Sequence, residues 1–84
     1  MYQLFLERHA VKALKRLPLG AKERLKTALD DMKDDPFGGD VKALTGRWKG
    51  FLRRRVGPYR ILFRVDSETK VIRVESIAHR REAY

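Results

Sequence analysis

The segment Tyr59-Arg60-Ile61-Leu62-Phe63-Arg64-Val65 constrains this chain more than any other part of it. Tyr59, Ile61, Phe63 and Val65 recur with period two as an apolar face, and Arg60, Leu62 and Arg64 form the opposite one. Such alternation predicts a strand over Tyr59–Val65 with one face on a core. Gly57-Pro58 precedes it as a turn, and Phe51–Val56 before the turn alternates in the same way. There Phe51, Arg53 and Arg55 share one face, and Leu52, Arg54 and Val56 the other. After a hairpin loop at Asp66-Ser67-Glu68-Thr69-Lys70, Lys70–Ala78 reads as a third strand. Its core face carries Ile72 and Val74, joined by the small Ser76 and Ala78.

The rest of the chain supplies the cover for this sheet. A short strand around Leu4–Glu7 opens it. Ala10, Ala13, Leu14 and Leu17 then follow helical spacing until Pro18, which cannot continue a helical ladder. Ala21, Leu25, Ala28, Leu29 and Met32 make a second apolar stripe, ended by Pro36 and Gly38-Gly39. The turn between the two helices is short enough to make them antiparallel neighbours. Residues 37–50 read as a loop rich in glycine, anchored by Leu44 and Trp48. The expected fold is α+β in the order β-α-α-β-β-β, an antiparallel sheet with a helical hairpin packed on one face. With 84 residues there is room for a single domain, 1–84, and one core.

The uncovered sheet face then carries Arg53, Arg55 and Arg60, and the charge distribution explains why that matters. Residues 1–41 hold eight basic and seven acidic side chains, and residues 65–84 hold four of each. Between Lys42 and Arg64 there are eight basic residues and no acid, so nearly all of the net charge of +9 falls within this stretch. A one-sign segment of this kind points to a polyanionic partner. The chain has no cysteine, which excludes a disulfide or thiolate chemistry and suits a reducing cytoplasm. The N-terminus has no signal-peptide pattern, and no apolar run is long enough to span a membrane. No Gly-rich phosphate loop, metal-ligand spacing or Ser-His-Asp set is present, so neither cofactor nor metal is expected.

What remains for chemistry is the arginine face and the ending His79-Arg80-Arg81-Glu82-Ala83-Tyr84. RNA can be cleaved without metal when its 2′-hydroxyl attacks the adjacent phosphorus, and fixed cations then stabilise the dianionic transition state. Arginine supplies that charge and bidentate hydrogen bonds, but does not remove protons. Of this set only His79 and Tyr84 can act as bases.

The motifs L-x-G over Leu44–Gly46, R-x-R-V-G-x-Y-R-I over Arg53–Ile61, and H-R-R-E-x-Y over His79–Tyr84 resemble the RelE branch of the RelE/ParE toxin superfamily, along essentially the whole chain. The resemblance implies a cytoplasmic toxin of a type II toxin–antitoxin module. It implies an endoribonuclease that enters the ribosomal A site and cuts mRNA by 2′-hydroxyl attack, leaving a cyclic phosphate and a 5′-hydroxyl. A RelB-like antitoxin would neutralise it, the toxin alone being monomeric and the complex a hetero-oligomer. Carried over, Arg60 holds the scissile phosphate, Arg80 stabilises the transition state, and Tyr84 stacks or serves as base, with His79 the other candidate base. Arg53 and Arg55 stand where the family's best-known member has lysines, so here they are electrostatic only; Lys49 and Arg81 complete the RNA-binding set. Two alternatives stand beside this: a ParE-like DNA gyrase inhibitor on the same fold, and a non-catalytic nucleic-acid-binding subunit. Strict alternation along the last strand puts Arg80 on the face of Ile72 and Val74, so the chain must twist or leave the sheet near Ala78.

Overall fold

In the computed structural model, which describes residues 1–80, the alternating segments lie at the centre of one five-stranded sheet. Strands β1 (Gln3–Leu6), β2 (Val41–Ala43), β3 (Leu52–Val56), β4 (Tyr59–Asp66) and β5 (Val71–His79) are arranged in the order β1-β5-β4-β3-β2. Helices α1 (Arg8–Arg16) and α2 (Leu19–Asp34) pack on one face and carry the chain from one sheet edge to the other. This is the expected α+β architecture, with two differences in the strands. First, β1 runs parallel to β5, with Leu4 beside Ile72 and Leu6 beside Val74, so the sheet is mixed rather than wholly antiparallel. Second, the stretch 37–50 is not all loop, because Val41–Ala43 pairs antiparallel with β3 as an edge strand. Three residues are too few to display an alternation.

Pro18 separates the helices as its chemistry requires. Leu17 is extended, with ψ 148°, as the residue before proline must be, and the Pro18 carbonyl accepts the first bond of α2 from the Lys22 N–H at 2.9 Å. The α2 stripe does what its spacing implies: Leu25, Ala28, Leu29 and Met32 are buried. They meet Ala10 of α1, Ile61 and Phe63 of β4, and Ile72, Val74 and Ile77 of β5 in one core. Trp48 does not join it. It packs edge-on against Phe51, ring centroids 5.5 Å apart, and so anchors its loop on the side of the sheet away from the helices.

Arg54 faces the helical side by parity but avoids the core. Its Nη1 donates to the Gly38 carbonyl at 3.2 Å, and the guanidinium lies against Gly39, where a Cβ would sit 3.0 Å from its central carbon. Gly39 also has φ 78°, so this loop requires glycine twice over. At the β4–β5 tip, Asp66 accepts hydrogen bonds from the backbone N–H groups of Thr69 and Glu68, which hold its carboxyl below the usual range.

The irregularity that matters most for function lies in β5. Phe63 faces Val74 and Leu62 faces Ser76, which leaves Glu75 as an extra, unpaired residue. This β-bulge reverses the parity of everything after it. Ile77 turns into the core with 6% exposure, and Ser76 and Ala78 stand across from Leu62 and Arg60 on the other face. Ser76 and Ala78 therefore do not line the core as alternation predicts. The change of face comes at Glu75, not near Ala78, and it happens without leaving the sheet.

Candidate functional site

The face without helices collects the arginines. On β3, Arg53 and Arg55 point the same way, and Arg55 stands directly opposite Arg60 on β4. Arg60 in turn faces the small Ala78 on β5, which leaves room beside the guanidinium. Arg80 follows β5 directly, and its backbone N–H donates to the Pro58 carbonyl at 2.7 Å. That bond ties the end of β5 to the β3–β4 turn. The result is a cleft of about 290 Å³ lined by Arg55, Gly57, Tyr59, Arg60 and Arg80, with no acid lining it among the described residues.

Like charges placed directly opposite on neighbouring strands are destabilising, so the Arg55–Arg60 pair is not explained by stability. Nor is the burial of polar atoms beneath it: Nε of Arg60 and Nη1 of Arg53 are shielded from solvent and have no hydrogen-bond partner among the described residues. An unsatisfied buried donor costs roughly 1–3 kcal/mol, and a bound anionic oxygen would satisfy it. Leu62, between these arginines on the same face, is only 1% exposed. With Leu62 buried and polar atoms of Arg53 and Arg60 shielded from solvent, an anion bound here would be less screened from these charges than in water.

The turn that closes the cleft depends on Gly57. Val56 and Tyr59 pair across a two-residue connection, and Gly57 has φ 58°, as the first central position of a primed hairpin turn demands. A Cβ there would also come within 2.5 Å of Arg24 Nη2. Replacing Gly57 by Ala should cost about 1–2 kcal/mol, lowering the melting temperature by roughly 4–8 °C per kcal/mol in a domain of this size. Asn, which tolerates positive φ better, should lose less. Equal melting temperatures for the Ala variant and the parent would refute the strain.

The remaining candidate residues are placed differently. His79 stands opposite Tyr59, their rings edge-on at 5.4 Å, and it lines a groove against Ala13, Arg16 and Leu17 of α1. It therefore lies on the helical side of the sheet, away from Arg60 and Arg80, because the bulge that brings Arg80 onto the cationic face turns His79 off it. Lys49 is exposed in the loop before β3, at the opposite end of that strand from the cleft. Arg81 and Tyr84 lie outside the described residues. Arg73, which no sequence motif singles out, stands opposite Arg64; its alternation with Ile72 and Val74 was the available signal. Among the described residues no three His, Asp or Glu side chains converge as a metal would require, and no helix is long and apolar enough to cross a membrane.

Fold and cleft together define a small α+β protein with a cationic cleft on the uncovered face of its sheet. The family model described as "ParE toxin of type II toxin-antitoxin system, parDE" matches residues 4–84. Among solved structures, an archaeal RelE–RelB complex from Pyrococcus horikoshii contains a chain 30% identical to this one, over 98% of each chain, with a TM-score of 0.83. The RelBE2 toxin–antitoxin complex of Mycobacterium tuberculosis matches at 24% identity over 93% of this chain and 96% of its own, TM-score 0.85. The isolated E. coli RelE toxin shares the fold at 22% identity, covering 94% of this chain and 84% of its own, TM-score 0.78. A comparison with curated proteins gave no match. The chain belongs to the RelE/ParE superfamily and is a toxin of the type II toxin–antitoxin class.

Proposed function

We propose that this toxin is a cytoplasmic, ribosome-dependent endoribonuclease that cuts mRNA in the A site and is neutralised by a RelB-like antitoxin. The observation that carries the reading is the convergence of Arg55, Arg60 and Arg80 in one cleft that no acid lines among the described residues, with Arg60 Nε buried and unpartnered among them. In this reading Arg60 grips a non-bridging oxygen of the scissile phosphate. Arg80 meets the charge that develops as the 2′-oxygen attacks phosphorus, and the 5′-oxygen leaves as the cyclic phosphate closes. Three arginines offer no proton acceptor. With His79 across the sheet, the base role in this reading passes to Tyr84, the other side chain of the ending whose chemistry allows it to accept a proton. The antitoxin partner is supported by the RelE–RelB complexes among the structural relatives, including that of P. horikoshii.

Primer extension on a translated message, with purified ribosomes and this protein, separates the readings. New codon-linked 5′ ends support the nuclease. The family description names ParE, which keeps a gyrase inhibitor in view; accumulated gyrase–DNA cleavage complexes with intact mRNA would replace the proposal with that reading. Neither product would leave a nucleic-acid binder.

Arg53 and Arg55 act in this scheme through charge alone. Replacing both by Ala should weaken ribosome association and flatten its salt dependence, by about 0.7 in log–log slope for each lost phosphate contact to a single strand. The same affinity and slope across a salt series would remove them from the interface.

A further inference from the structure

The cationic face has a second end with different chemistry. Four positions along β4 from Arg60, roughly 13 Å at strand spacing, Arg64 stands opposite Arg73 of β5. This is another like-charged pair on directly opposed residues. Here the guanidiniums lie on aromatic rings. The Cζ of Arg64 is 5.1 Å from the centre of the Phe51 ring, and that of Arg73 is 5.5 Å from Phe5. Arg47 lies 5.9 Å from the centre of Trp48, which itself meets Phe51 edge-on. Phe5 is 46% exposed, unlike the apolar residues of β1 that face the helices. An open depression of about 740 Å³ runs along this end between Gly50, Arg64, Arg73 and the β4–β5 tip.

Acids border it, but they leave the arginines largely uncompensated. Asp66 is engaged by the backbone of its own turn, and Glu68 belongs to the exposed tip. Glu7 reaches Arg73 only at 3.5 Å, in an exposed pair of the kind that contributes little. Arg64 has no ion pair among the described residues. Guanidinium–ring stacks beside partly exposed rings are what unpaired nucleotides use: the base stacks and the phosphate meets the cation. An acidic protein segment would use the charge but has no need of the rings.

We propose that this end of the face is a second RNA subsite, a stacking platform for an unpaired base at Phe51 and Trp48, with the adjoining phosphate held between Arg64 and Arg73. The inference rests on the reading that the Arg55–Arg60–Arg80 cleft takes an RNA phosphate, and it extends the same strand a few nucleotides along the sheet.

Trp48 is the chain's single tryptophan, so its emission reports on this end alone. The probes are 2′-O-methyl RNA oligonucleotides, which cannot be cut by 2′-hydroxyl attack: a dinucleotide short enough to fill only the cleft, and a hexanucleotide. The hexanucleotide should bind about tenfold or more tightly than the dinucleotide, the scale of one stacked base, and should quench Trp48. An Arg64→Gln/Arg73→Gln double variant should bring hexanucleotide affinity down to that of the dinucleotide and remove the quenching. Its dinucleotide affinity and melting temperature should stay close to the parent's. A hexanucleotide that binds no more tightly than the dinucleotide, or keeps its affinity in the double variant, overturns the subsite. So does a polyglutamate peptide of equal charge that matches its affinity and quenching. Failure of the cleft reading has a separate signature: Arg60→Ala would leave dinucleotide affinity unchanged.

Discussion

Single-turnover cleavage of ribosome-bound mRNA should slow by roughly 10²–10³-fold when Arg60 is replaced by Ala, and by a similar factor for Arg80→Ala. That is the scale of losing one preorganised donor to a developing charge. Ribosome binding should change far less, because the other arginines of the face remain. Stability distinguishes this loss from misfolding. Removing Arg60 abolishes its like-charge contact with Arg55 and a buried donor without a partner, so the variant should melt no lower than the parent. Arg80→Ala keeps the backbone bond to Pro58 and should also fold normally. A full cleavage rate in either variant would take that arginine out of the mechanism.

A comparable loss should result from moving Arg80 without changing it. One alanine inserted between Ala78 and His79 leaves Ile77 in the core but inverts the faces of the residues after it, sending Arg80 to the helical side. Cleavage should fall about as far as in Arg80→Ala, roughly 10²-fold or more. Deleting Glu75 is the converse test. It removes the extra residue between Val74 and Ser76 and restores plain alternation with Ile77 and Arg80 on their present faces. That variant should retain most of its activity. Single-turnover rates with a melting curve for each variant decide the matter; an active insertion variant would show that the bulge does not set the site.

These faces mark the boundary of what the sequence discloses. Alternation in β3 and β4 places Arg53, Arg55 and Arg60 together, because the side-chain period of a strand is two and the apolar face is unambiguous. The same rule fails in β5. Ser76 and Ala78 are small enough to read as core, and no glycine or proline marks the bulge at Glu75. The error reached function, since it put His79 beside the arginines and Arg80 away from them. The parallel pairing of β1 with β5 was hidden for another reason: it depends on where the helical hairpin returns the chain, which no local pattern encodes. Arg54 sits between these cases. Its parity was legible, but its hydrogen bond to Gly38 requires a loop whose course the sequence does not show.

The proposed mechanism leaves to Tyr84 the proton transfer that arginine cannot perform, and the two roles proposed for it separate by substitution. A base is lost equally in Tyr84→Phe and Tyr84→Ala, whereas a stacking ring survives in Phe. The most direct test of the whole account is the triple variant Arg60→Ala, Arg80→Ala, Tyr84→Ala beside the parent protein on the same mRNA-programmed ribosomes, with new 5′ ends followed in time. The account predicts codon-linked ends with the parent and none above background with the triple variant, although both bind the ribosome. Ends accumulating at the parental rate in the triple variant would contradict it.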